Sequence, residues 1–191
     1  YRVGDQIVES IRKHDRHASW KQAKARTIEM FGKLGIPDPA LRFDGFPHEF
    51  SGGMKQRVMI AMGMINNPKL LIADEPTTAL DVTIQAQILE LMQEIQREYG
   101  TTIMIITHNM GIVADMANDI VVMYMGSVVE SGTREQIFRD PRHPYTAALL
   151  KSVPVLGNGI KKRLTPIRGT TPDPKEKITG CAFAPRCDYA T

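Results

Sequence analysis

The sequence predicts an α/β fold built on a parallel sheet. Leu70-Leu71-Ile72-Ala73 is a short apolar run stopped by Asp74-Glu75-Pro76, which suits a strand buried on both faces. Thr101 to Ile106 is a second strand-like run, rich in β-branched residues. Between them Ile84, Ile88, Leu91, Met92 and Ile95 recur at helical spacing. Strand, helix and strand in that rhythm require a right-handed crossover and hence parallel strands.

The other elements follow along the chain. The first third reads as helical, with Ser19 capping a helix to about Leu34 that places Ala23, Thr27, Met30, Phe31 and Leu34 on one stripe. Gly35-Ile36-Pro37-Asp38-Pro39 stops it, because proline lacks an N–H and constrains its predecessor. After a loop to Phe50, Ser51 opens a periodic segment (Met54, Val58, Ala61, Met62, Ile65) that ends near Asn66-Asn67-Pro68. Asp81 or Thr83 caps the crossover helix. Asp119–Met125, Gly126 and Ser127–Glu130 read as a hairpin at the sheet's margin. Thr133-Arg134-Glu135-Gln136 matches a capping box. Beyond Val153 periodicity gives way to Pro, Gly and Lys, the pattern of an extended appendage.

Composition removes several classes. With 191 residues, 42% hydrophobic and 24% charged, the chain can bury a core and is not a disordered tract. No apolar run approaches the roughly 18 residues of a transmembrane helix. The start at Tyr1 resembles no signal peptide and lacks Met, which reads as a piece of something longer. Two cysteines, Cys181 and Cys187, make no disulfide scaffold and suit a reducing compartment. Residues 1–150 carry two more acids than bases, and residues 151–191 carry five more bases than acids. So dilute a basic tail reads as a solvated segment, and 6% aromatic residues leave little for stacking bases.

Three segments carry chemistry. In Phe50-Ser51-Gly52-Gly53-Met54-Lys55-Gln56-Arg57 two glycines precede a helix, leaving amides uncovered at its positive end beside the Ser51 hydroxyl. That arrangement receives a phosphate; the same residues also suit an ordinary capped helix, and alone they leave both readings open. Asp74 and Glu75 follow four apolar residues without a gap, at the strand end where open α/β sheets bind ligands. An acid so placed can hold Mg²⁺ (Asp74), and its neighbour can deprotonate a water (Glu75). His108 follows the next strand, within reach of the same ligand, whereas His14, His17, His48 and His143 have no such setting.

In this order and spacing, Ser51-Gly52-Gly53, Asp74-Glu75-Pro76-Thr77, Ala79-Leu80-Asp81 and His108 resemble the nucleotide-binding subunit of an ABC transporter. The resemblance implies a partial P-loop NTPase (RecA-like) sheet at 68–140, an ABC helical subdomain with the signature helix at 1–67, and a C-terminal extension at 141–191. It makes Ser51, Gly52 and Gly53 the signature loop that meets ATP held by a partner subunit. Asp74 becomes the Walker B ligand of Mg²⁺, Glu75 the general base, Asp81 the acid of the D-loop at the dimer interface, and His108 the switch histidine. Phe50 and Met54 stand where Leu and Gln are commonest, as is usual in the peptide-importer branch. No G-x-x-x-x-G-K-[ST] occurs, nor the glutamine-bearing loop; in the family both precede the region where Tyr1 stands.

Arg142-His143-Pro144-Tyr145-Thr146, Gly169-Thr170-Thr171-Pro172-Asp173 and Gly180 to Cys187 resemble the C-terminal extension of oligopeptide, dipeptide and nickel importer ATPases. In some members cysteines of this region ligate a [4Fe-4S] cluster, and Cys181 and Cys187 would be two of the four thiolates. The resemblance implies an ATP-hydrolysing subunit on the cytoplasmic face of a bacterial inner membrane. Its implied partners are an identical or paralogous ATPase, two transmembrane permease subunits and, indirectly, a peptide-binding protein, with no nucleic acid. Nickel import and a non-catalytic fragment are the alternatives within the family. DNA-repair ATPases share the motifs but carry long heptad insertions, absent here.

Overall fold

The computed structural model describes residues 1–152, 166–173, 175 and 179–190, which divide into two compact units, Tyr1–His108 and Asn109–Thr191. The first unit begins with helices α1 (Val3–His14), α2 (Trp20–Lys33), α3 (Pro39–Phe43) and α4 (Gly52–Met64). Ser19 caps α2 in a reciprocal capping box with Gln22. Helix α1 offers no side-chain cap, and its stripe Val3, Ile7, Val8 and Ile11 is buried against α2, α3 and α4. Gly4 is required there, since a Cβ would overlap the Phe43 ring.

Strands β1 (Leu70–Asp74) and β2 (Thr102–Ile106) pair in parallel, joined by α5 (Val82–Tyr99), as the sequence predicts. Asp81, not Thr83, caps α5, its carboxylate accepting the Ile84 N–H at 2.9 Å. The strand faces differ from expectation. Leu70, Ile72, Met104 and Ile106 are exposed, Ile72 at 56%, while Leu71, Ala73, Ile103 and Ile105 are half-buried. Among the described residues the sheet has two strands, so one face of this apolar ribbon has no covering layer.

In the second unit, α6 (Met110–Met116) precedes the hairpin β3 (Asp119–Tyr124) and β4 (Ser127–Thr133). Met125 and Gly126 both have positive φ, the turn that matches the twist of paired strands. This hairpin is a two-stranded antiparallel sheet. The Thr133–Gln136 capping box starts α7 (Arg134–Arg139), and Ile120, Val122 and Ile137 form the core.

Helix α8 (Pro144–Lys151) was not delimited from the sequence; His143 caps it through Nδ1, with proline in its first turn. The beginning of the expected appendage, 153–165, lies outside the described residues. Its described part is irregular but anchored: Phe183 is buried against Tyr124 and Tyr145, and the Arg186 guanidinium donates to the Tyr124 hydroxyl and the Arg168 carbonyl. No helix among the described residues is long and apolar enough to cross a membrane.

Candidate functional site

The first unit brings two of the expected residues into direct contact. Asp74 ends β1 opposite Ile106, and the Glu75 N–H donates to the Ile106 carbonyl at 2.9 Å, carrying the ladder one step further. Glu75 then leaves the sheet with φ +48, a conformation few non-glycine residues adopt, immediately before the buried Pro76. That turn swings its carboxylate to the end of β2, where His108 Nδ1 lies 2.7 Å from Oε1. A carboxylate only accepts, so Nδ1 carries the proton and Nε2 is the outward nitrogen.

The other oxygen, Oε2, accepts from the Thr78 hydroxyl at 2.9 Å. Thr78 was not singled out from the sequence; the only signal was a hydroxyl three residues after the acid, across a turn. The His108 ring N–H first, and then the Thr78 hydroxyl, hold the Glu75 carboxyl below its ordinary range, so it is ionised at neutral pH. An ionised carboxylate fixed at a strand tip is in the form a general base requires.

Asp74 is exposed at the same tip. One carboxylate suffices for Mg²⁺ when phosphate oxygens and waters complete its shell, so the residue fits that ion. The described residues hold no group of three His, Cys, Asp or Glu side chains placed to bind a metal on their own.

Ser51, Gly52 and Gly53 lie at the start of α4. Ser51 Oγ accepts the Met54 N–H at 3.3 Å, which leaves the hydroxyl proton available to an outside acceptor. The two glycines have a structural duty as well: a Cβ on Gly52 would stand 3.4 Å from Leu80 Cδ2, and one on Gly53 2.8 Å from Ile84 Cγ2. The N-termini of α4 and α5 are therefore neighbours, with Asp81 exposed at the second of them.

Cys181 and Cys187 belong to the second unit and are free thiols. Cys181 Sγ lies 3.8 Å from His143 Nε2, a loose contact. Two thiols are half of the donor set that a four-iron cluster takes.

Residues 3–78 match the ABC transporter family, and residues 129–191 match the oligopeptide/dipeptide transporter C-terminal region. The first of these regions is an ABC transporter ATP-binding domain. The second is a peptide-transporter C-terminal region. The chain is 52% identical over 191 residues to a dipeptide transport ATP-binding protein of Haemophilus influenzae, covering all of this chain and 57% of that protein. It is 55% identical over 189 residues to an oligopeptide transport ATP-binding protein of Bacillus subtilis, covering 99% of this chain and 52% of the relative. The chain thus spans a little over half the length of these curated relatives. Among solved structures, a post-hydrolysis dimer of the ATP-binding cassette MJ0796 with ADP and phosphate superposes with a TM-score of 0.59 at 26% identity, covering 70% of this chain and 56% of that one.

Proposed function

We propose that this chain is part of the ATP-hydrolysing subunit of a bacterial ABC importer for di- and oligopeptides. The observation that carries the reading is the Glu75–His108 pair beside Asp74, at the end of two parallel strands. When bound, Mg²⁺ would neutralise charge on the transferred phosphoryl group, with Asp74 as its protein ligand. Glu75 takes the proton of the attacking water, and His108, with Nε2 facing outward, senses the terminal phosphate. Ser51 and the first-turn amides of Gly52 and Gly53, which have no acceptor inside the helix, receive the terminal phosphate of ATP on a second ATPase subunit. Asp81 meets that subunit at the shared interface.

The solved neighbour's dimeric state supports a pairing with an identical or paralogous ATPase. The names of the relatives favour peptide over nickel as cargo. Two permease subunits would connect the pair to the cytoplasmic face of the inner membrane, where a peptide-binding protein acts on the far side. The helices of 1–67 form the subdomain that meets the permeases, 68–140 the catalytic part and 141–191 the family-specific extension. A [4Fe-4S] cluster is not part of the proposal.

The test is Glu75→Gln in the full-length protein within its transporter. Turnover should fall at least about 100-fold, the low end of what a positioned base contributes, while nucleotide binding persists. Turnover near that of the parent would remove Glu75 from the role of base.

A further inference from the structure

Both oxygens of the Glu75 carboxylate are engaged, Oε1 by His108 Nδ1 at 2.7 Å and Oε2 by the Thr78 hydroxyl at 2.9 Å. Each carboxylate oxygen has two lone pairs, so each of these bonds leaves one free to take a water proton, and together they set where the free lone pairs point. The two partners hold the carboxylate from different places in the fold. The His108 side chain is 86% exposed, at the end of a different strand. Thr78 sits on the turn that bears Glu75: its N–H donates to the Glu75 carbonyl at 3.2 Å, and buried Pro76 and Thr77 lie between them. The branched Thr78 side chain is stiff about χ1, and its proton is directed at the carboxylate, not at the backbone acceptors that turn threonines commonly take.

We propose that Thr78 is a positioning residue for hydrolysis: its hydroxyl pins Glu75 Oε2 and so fixes the plane of the carboxylate that takes the water's proton. This rests on Glu75 being the base. In the step it serves, a water proton passes to the Glu75 carboxylate while the water oxygen bonds to the terminal phosphorus of ATP. The bond from that phosphorus to the bridging oxygen breaks, and ADP departs with the electron pair. Thr78 touches none of the reacting atoms. It restricts the rotation of the group that does, and so acts on the chemical step without altering the affinity for nucleotide.

The experiment compares Thr78→Val, of the same shape without the hydroxyl, with Thr78→Ser, which keeps it, in the full-length protein assembled in its transporter, with Glu75→Gln as control. Thr78→Val should lower kcat for ATP about five- to tenfold, the worth of one net hydrogen bond, with KM within about twofold of the parent. Thr78→Ser should return kcat to within about twofold, because the donor is restored. If Thr78→Val fails to fold, Thr78→Ala removes the hydroxyl without the branch and carries the same expectation. Parental kcat in the variants lacking the hydroxyl, a loss confined to KM, or no rescue by serine overturns the assignment of Thr78. In each of those cases an inactive Glu75→Gln leaves the base itself standing. A Glu75→Gln protein that turns over like the parent removes the base, and the assignment of Thr78 with it.

Discussion

Gly53 and Ile84 compete for one space: a methyl group on Gly53 would lie 2.8 Å from Ile84 Cγ2, closer than real side-chain carbons approach. The glycine that the sequence offers as a phosphate-facing amide is thus also what lets α4 and α5 come together at their N-termini. The methyl it meets is on a β-branched residue, which cannot swing away cheaply.

Gly53→Ala should therefore destabilise the first unit by about 1–3 kcal/mol, the range of an overpacked contact. The diagnostic is non-additivity. In the Gly53→Ala background, Ile84→Ala should cost at least about 1 kcal/mol less than it does in the parent, because the truncation relieves the clash. Urea denaturation of the four proteins measures both quantities. Strict additivity would mean that the two helices have room to spare at this point.

Asp81 poses a similar question of two duties. Its carboxylate accepts the Ile84 N–H at 2.9 Å and so starts α5, yet it is exposed and is proposed to meet a second subunit. Asp81→Ala should cost about 0.5–2 kcal/mol through the lost cap, whereas Asp81→Asn should cost almost nothing, since asparagine caps as well as aspartate. ATPase activity of the full-length protein should separate the duties. If the charge is used across the interface, Asp81→Asn lowers turnover about tenfold at unchanged melting temperature, the worth of a charge-assisted hydrogen bond. Equal activity in the Asn protein would leave Asp81 with the capping role alone.

Asp81 also shows what was legible in the sequence. Elements announced by local chemistry came through. Ser19, Ser51, Asp81 and Thr133 each start a helix through a side-chain bond that depends only on the next few residues. Gly126 marked the hairpin turn for the same reason. An element without such a marker was harder to delimit: α1 begins at Val3, after Arg2, which offers no capping side chain. His143 was given no role, although His-Pro before an apolar run is a helix-start signal that the structure realises in α8. The exposure of Ile72 and Met104 was illegible in principle, because an apolar run says what a strand prefers and not which layers are present to cover it. At the site, Asp74, Glu75 and His108 could be named from position along the strands. Thr78 could not, because its role depends on the positive φ of Glu75, which turns the carboxylate back over the loop.

Glu130 gives a prediction that rests on the second unit alone. Burial pushes its carboxyl pKa up, but the neighbouring Thr146 hydroxyl and the backbone N–H groups of Arg142, at 2.6 Å, and His143, at 3.0 Å, outweigh it and leave the group below its ordinary value. The Thr146 hydroxyl is buried and falls outside hydrogen-bonding geometry, so the two amides are the bonds that fix the carboxylate to the start of α8. A folded-state pKa below the unfolded one means that the group stabilises the fold above pH 4.5, and that this contribution fades as pH falls through the folded value. Glu130→Gln keeps the shape but turns one acceptor into a donor facing an N–H. It should melt about 2–4 °C below the parent at pH 7, and the gap should close as the pH drops below 4.5. Every other carboxyl titrates alike in the two proteins, so the difference between their melting curves isolates this residue. A gap that stays constant from pH 7 to pH 3 would assign the stabilisation to packing and not to charge.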